Sequence, residues 1–286
     1  MKSKLPKIYM DHAATTPVDA RVLKSMNKYF SEEFGNPSSV HSFGIITKKA
    51  IEDSRKKVAG VLQCRQSEII FTGGGTESDN LAVFGVARKY REEHKNGGHI
   101  IISAIEHSAV SGPCHVLKHE GFELTVVPVL SNGILDPKEI KKALRPDTFL
   151  VSIMYANNEI GTIQPISEIA KVIRHHRSTW SPGLQVNNYP YFHTDACQAP
   201  GALSLNVAKL GVDMMTISGS KMYGPKGVGA LYVKEGTKID PMIYGGGQER
   251  GMRSGTESVP LIVGLGEALS LTDSMREKES ARLLKL

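Results

Sequence analysis

The sequence predicts an α/β fold, a mixed and mainly parallel sheet of about seven strands with helices on both faces. Three observations lead there. Short β-branched runs alternate with helical patterns along the whole chain. The β–helix–β order repeats, and parallel strands need such crossovers. The last two strands break the rule: only Gly219–Gly227 separates Ser218 from Val228, too short for a helical crossover, so Val228–Val233 is predicted antiparallel.

In order, strands are read at Glu68–Thr72, His99–Ser103, Glu123–Pro128, Phe149–Tyr155, Tyr191–Ala196, Val212–Ser218 and Val228–Val233. Helices are read at Thr76–Lys95, Pro137–Leu144 and Pro165–His176, the last two opening on prolines that a first helical turn tolerates. Ser178–Pro190, rich in Gly, Pro and Asn, reads as a surface loop. A charged helical pattern starts near Pro260 and runs to Leu286. No internal repeat or low-complexity segment interrupts the pattern.

The 286 residues exceed the usual single core, so one large domain with an appendage is expected. Hydrophobic content of 40% and charged content of 22% are ordinary for a globular enzyme. The net charge of +6 is dispersed, with Glu92 and Glu93 following Arg88, Lys89 and Arg91. That is a solvated surface rather than a nucleic-acid face, although it favours anionic ligands. No apolar run is long enough to span a membrane, and the basic N-terminus has no apolar signal core, so the cytoplasm is expected. Cys64, Cys114 and Cys197 show no metal-ligand spacing and read as small buried or partly buried thiols in a reducing compartment.

Three segments carry chemistry. Phe71–Asn80 (FTGGGTESDN) follows an apolar strand and opens a helix, where glycines allow close backbone approach and free N–H groups favour an anion. It fits neither the Walker loop nor G-x-G-x-x-G, and a plain strand–helix turn uses the same residues. His193–Ala199 (HTDACQA) puts Asp195 at a strand's carboxyl end, where ligands of open α/β sheets gather. Such an acid either caps the next helix or holds a pyridinium nitrogen protonated. Ser218–Gly229 (SGSKMYGPKGVG) puts Lys221 directly after an apolar strand, where a Schiff-base lysine can sit, while Lys226 reads as an exposed turn residue. An acid for a ring nitrogen and a lysine for an aldehyde, on strand ends of one sheet, make a pyridoxal 5'-phosphate (PLP) site.

At these residues the chain resembles the NifS/IscS-like cysteine desulfurases of the class-V aminotransferase family, with selenocysteine lyase as a close relative. The matching segments are YMDHAATTPVD, FGNPSS, FTGGGTESDNLAV, AIEHSAV, ANNEIGTIQP, HTDACQ, SGSKMYGPKGVGALYV and GGGQERGMRSGTES, in order over nearly the whole chain. The resemblance implies the large domain of a fold-type I PLP-dependent transferase and a homodimer with active sites at the subunit interface. It implies that Lys221 bonds the cofactor aldehyde and moves protons, and that His107 stacks on the ring and assists. Asp195 would hold the ring nitrogen, with Asn158 and Gln198 near the phenolic oxygen. Gly75, Thr76 and Ser218 would hold the phosphate, and Thr256 would reach that of the partner subunit.

Ser220 stands where the family usually has a histidine that also touches the phosphate. Serine still donates a hydrogen bond but brings no positive charge, so weaker cofactor affinity is expected. The resemblance also implies a smaller C-terminal domain bearing the nucleophilic cysteine and a carboxylate-binding arginine. No cysteine follows Cys197 here, so the sequence is expected to divide into an N-terminal arm (1–16), a PLP-binding large domain (17–262) and the start of a truncated small domain (263–286). The implied activity is conversion of L-cysteine to L-alanine with sulfur passed to an acceptor or scaffold protein, for iron–sulfur clusters or other sulfur-containing cofactors. A role in tRNA thiolation would be indirect. The alternatives are a selenocysteine lyase-like enzyme and a non-catalytic, PLP-binding, dimer-forming remnant.

Overall fold

The computed structural model describes residues 7–94, 97–180 and 189–286. Among them, chain order gives helices α1 (Ala20–Ser31) and α2 (Ser42–Leu62), strand β1 (Ile69–Thr72), α3 (Gly75–Glu93), β2 (His99–Ser103), α4 (Ser108–His119), β3 (Glu123–Val127), α5 (Pro137–Ala143), β4 (Thr148–Ser152), α6 (Ile166–Trp180), β5 (Tyr191–Asp195), α7 (Val207–Leu210), β6 (Met214–Ser218), β7 (Gly229–Val233) and α8 (Val259–Leu283). The seven strands form one sheet in the order β1-β7-β6-β5-β4-β2-β3. Only β7 is antiparallel to its neighbours β1 and β6, as the short linker required.

Local chemistry sets the helix starts. Asp19 accepts the Arg21 N–H at 2.8 Å to cap α1, and Asp136 accepts the Lys138 N–H at 2.9 Å ahead of the first-turn Pro137 of α5. Apolar strand residues point alternately to two cores. Ile101, Val151, Phe192, Met215 and Ile217 face the layer that includes α1, α2, α6 and α8. Ile100, Ile102, Leu150, Tyr191 and Met214 face α3 and α4. Helices therefore cover both faces, and β2, β4, β5 and β6 are buried along their whole length.

Several expected boundaries shift. Strand β4 ends at Ser152 rather than Tyr155, and β6 starts at Met214 rather than Val212. Helix α6 runs on to Trp180, so residues 178–180 are helical and not loop. Residues 181–188 of the expected loop, and Lys95 of the expected helix Thr76–Lys95, lie outside the described residues. The expected domain boundary at 262/263 falls inside α8, whose Val259, Ile262, Val263, Leu265, Ala268 and Leu269 join the core formed with α1 and α2. No helix among the described residues is long and apolar enough to cross a membrane.

Candidate active site

Strands β1, β2, β5 and β6 all end on one side of the sheet, and the turns that follow them enclose a cavity of about 200 Å³. Gly75, Thr76, His107, Asn158, Asp195, Gln198, Ser218, Ser220 and Lys221 all line it, so nine of the ten expected residues meet there. Thr256 does not line this cavity and is exposed.

The end of the cavity where phosphate is expected is the turn from β1 into α3. Gly74 is the N-cap, with φ +151° and ψ 178°, a conformation essentially confined to glycine, and it supplies no side-chain cap. The first N–H groups of α3 are therefore left for a ligand, at the positive end of the helix. A Cβ at Gly75 would lie 2.8 Å from Cys197 Sγ and 3.3 Å from Ser218 Cβ, so this floor must be bare backbone. Ser218 and Ser220 add hydroxyls 3.2 Å apart. The turn is braced from outside: Glu77 accepts the Gly73 N–H at 2.9 Å and pairs with Arg253 at 2.9 Å. Arg253 belongs to the segment that carries Thr256, which is thereby tied to the phosphate turn of its own chain.

Asp195 ends β5 with its carboxylate at the cavity, its Oδ1 accepting the Cys197 N–H at 2.9 Å. His107 is the N-cap of α4, and its Nδ1 accepts the Ala109 N–H at 3.1 Å. A neutral ring therefore carries its proton on Nε2, away from the backbone. Glu106, one residue earlier, anchors this loop by accepting the Met154 N–H at 2.9 Å and the Ser103 hydroxyl. Burial pushes its carboxyl up to about 8.

The N-terminal arm closes one side. Lys221 Nζ donates to the carbonyls of Ala13 and Ala14 at 2.7 and 2.6 Å, and Gln198 Nε2 donates to Ala13 at 2.9 Å. The arm is fixed by Thr16, whose N–H reaches Ser220 O at 2.9 Å and whose hydroxyl accepts the Tyr223 N–H at 2.7 Å. Lys226 lies outside the cavity and is exposed, as expected. Asn158 turns its amide to Glu159 at 2.8 Å.

Of the lining residues not singled out for the site from sequence, two can ionise, Asp79 and Cys197. Asp79 lies on α3 in the phase of Ala82, Val83 and Val86, so an acid at a core position was the available signal. Cys197 lies at the floor, where burial first and the Asp195 carboxylate second push its thiol well above the ordinary range. Burial likewise pushes Cys64 up to about 12 and Cys114 beyond that, so none of the three is a ready thiolate. No cluster of three or more metal-ligating side chains exists among the described residues.

A compact anion, a protonatable ring nitrogen and an aldehyde in one ligand answer these groups together, which defines the class: a PLP-dependent enzyme of fold-type I. The sequence profile described as Aminotransferase class-V matches residues 8–285, and the chain belongs to that family, whose cofactor is PLP. It is 49% identical to the cysteine desulfurase IscS of Dictyoglomus turgidum over 98% of this chain and 67% of that protein. It is 49% identical to IscS of Methanosarcina thermophila over 98% of this chain and 65% of that protein. The chain thus spans about two thirds of the length of these relatives. Among solved structures, a NifS-like protein superposes with a TM-score of 0.89 at 41% identity, covering 96% of this chain and 71% of that one. A structure described as SspA in complex with cysteine gives 0.84 at 42% identity, covering 92% and 72%.

Proposed function

We propose that this chain acts on L-cysteine as a PLP-dependent desulfurase, yielding L-alanine and passing the sulfur to a thiol acceptor for iron–sulfur clusters or other sulfur-containing cofactors. The observation that carries the reading is the convergence of the bare α3 start, Asp195, His107 and Lys221 on one cavity. When bound, PLP supplies an electron-deficient ring that stores the electron pair released at the substrate Cα.

The protein's residues do the rest. The α3 N–H groups with Ser218 and Ser220 bind the phosphate and fix the ring's position. Asp195 keeps the ring nitrogen protonated, since an adjacent carboxylate favours the charged form by roughly 1–3 pKa units. Lys221 exchanges its bonds to Ala13 and Ala14 for the cavity, where its amine takes the Cα proton and returns it. His107, whose Nδ1 is taken by the Ala109 N–H, would stack on the ring and pass a second proton from Nε2. The raised thiols of Cys64, Cys114 and Cys197 leave the acceptor cysteine outside these three.

Those shielded thiols also favour a second reading, a selenocysteine lyase-like elimination of selenium with no thiol of this segment taking part. A homodimer in which Thr256 serves the partner's phosphate, and an acceptor or scaffold protein, belong to the first reading. The test is the purified chain with PLP. A visible chromophore that Lys221→Ala lacks is expected, with alanine formed from cysteine and its sulfur carried as persulfide on a supplied thiol, which an added dithiol reduces to sulfide. Selenide from selenocysteine without turnover of cysteine would favour the second reading, and a wild-type chain that PLP cannot titrate refutes both.

A further inference from the structure

The cavity holds more carboxylate than the proposed reaction uses. Asp79 lines it beside Asp195 and is 1% exposed. Its Oδ1 has no hydrogen-bond partner. Among the described residues one basic atom lies within 4 Å of it, His193 Nε2 at 3.6 Å, too far for a hydrogen bond. That imidazole is already satisfied: Nε2 meets the Thr216 hydroxyl at 3.0 Å and Nδ1 the Ser152 hydroxyl at 2.8 Å. A third acid, Glu106, also keeps one buried oxygen, Oε2, without a partner. The groups facing Asp79 are Asp195 and His193 from β5, Thr216 from β6 and Glu106 from the loop after β2. Lys221, the one lysine or arginine lining the cavity among the described residues, gives its amine to the Ala13 and Ala14 carbonyls. None of the three acids has an arginine or lysine ion pair among the described residues.

Buried carboxylates without cations do not ionise together, because each charge is poorly solvated and repels the next. We propose that Asp79 is a positioning residue that carries a proton at neutral pH, and as a neutral acid leaves Asp195 the anion facing the cofactor's ring nitrogen. This role rests on the PLP reading above. Hydrogen bonds reach both acids, the Cys197 N–H to Asp195 at 2.9 Å and the Thr216 hydroxyl to Asp79, but Asp79 still keeps one bare buried oxygen, Oδ1. Burial first, then the Asp195 charge, pushes the Asp79 carboxyl well above the carboxylate range. Burial holds the His193 ring down to about 3, so the proton sits on the acid and not on the imidazole. A neutral Asp79 is close in size and equal in charge to asparagine.

Infrared spectra of the full chain with and without PLP, for wild type and Asp79→Asn, test this. The expected result is a protonated-carboxyl C=O band at pH 7 that Asp79→Asn lacks. The visible pH titration of the PLP-loaded Asp79→Asn protein should stay within about 0.5 unit of wild type, whereas Asp195→Asn moves it by about 1–3 units. Asp79→Asn that leaves every protonated-carboxyl band in place, or moves the titration by more than about 0.5 unit, overturns the proposal. If that variant does not fold, wild type carrying ¹³C-carboxyl aspartate decides: a protonated aspartyl band at pH 7 supports it and its absence overturns it. A chain that takes up no PLP refutes the cofactor reading instead, while the infrared bands still decide the proton on Asp79.

Discussion

Replacing Arg55 with methionine tests how the segment carrying Arg253 and Thr256 is held. Arg55 and Glu249 form a buried ion pair, their side chains 4% and 2% exposed. Two bonds of 2.9 and 2.7 Å join them, and Arg55 also donates to Ile69 O at 2.9 Å. Glu249 in turn accepts the Phe71 N–H at 2.8 Å, stitching the segment to β1. The pair holds Glu249 at φ +47°, a left-handed backbone that costs a residue other than glycine about 1–2 kcal/mol. Methionine keeps the packing of the stem over Phe71, where the guanidinium now lies 4.7 Å from the ring centroid. It leaves the Glu249 carboxylate buried with Phe71 N–H alone, and breaking one side of such a pair costs about 3–5 kcal/mol. Removing both charges, as Arg55→Met with Glu249→Met, leaves no buried charge unpaired, though the Phe71 N–H loses its acceptor, so the double variant should cost about 1–3 kcal/mol less than the sum of the singles. Guanidinium unfolding of the four proteins, followed by circular dichroism, measures the cycle. A single-variant cost below about 1 kcal/mol, or strict additivity, would refute the reasoning.

Three further outcomes are expected. Gly75→Ala drives a methyl against Cys197 Sγ at 2.8 Å, an overpacking cost of about 1–3 kcal/mol, so PLP affinity should fall roughly tenfold or more. Cys197→Ala in the same chain should restore much of it, and equilibrium dialysis reads both. Asp195→Asn removes the group proposed to keep the ring nitrogen protonated and should slow exchange of the substrate Cα proton by roughly 10–1000-fold, followed by deuterium exchange. Glu106 and His99 set opposite pH slopes on stability. Glu106 rises from 4.5 to about 8 on folding, so its contribution is complete below pH 4.5 and lost as pH climbs to 8; Glu106→Gln should flatten that limb. Burial lowers His99 from 6.5 to about 4, so its contribution is complete above pH 6.5 and lost as pH falls to 4. His99→Gln should flatten the acid limb in denaturant midpoints taken from pH 4 to 9.

Much of the fold was legible because its signals are local. A nine-residue linker cannot hold a crossover, and β7 is indeed the reversed strand. The end of α6 was missed for an equally local reason. Ser178 and Thr179 read as loop formers, but their hydroxyls bond back to the His175 and His176 carbonyls and leave the helix intact. The expected boundary at 262/263 lies within α8, whose apolar residues on both sides of it join the core.

For the site, Lys221, Asp195 and the glycine turn could be read because each chemistry needs a particular residue at a strand end, and the sequence shows both residue and strand. What Asp79 does depends on Asp195, His193 and Glu106, brought together by a sheet whose order is not the chain order. The partners of Lys221 come from an arm more than 200 residues earlier, and those of Glu249 from α2 and β1. The sequence by itself determined the architecture and the cofactor chemistry, because periodicity and residue type are local properties. The tertiary structure alone decided which acids are buried together and which loops are fixed, because burial and long-range contact exist only after folding.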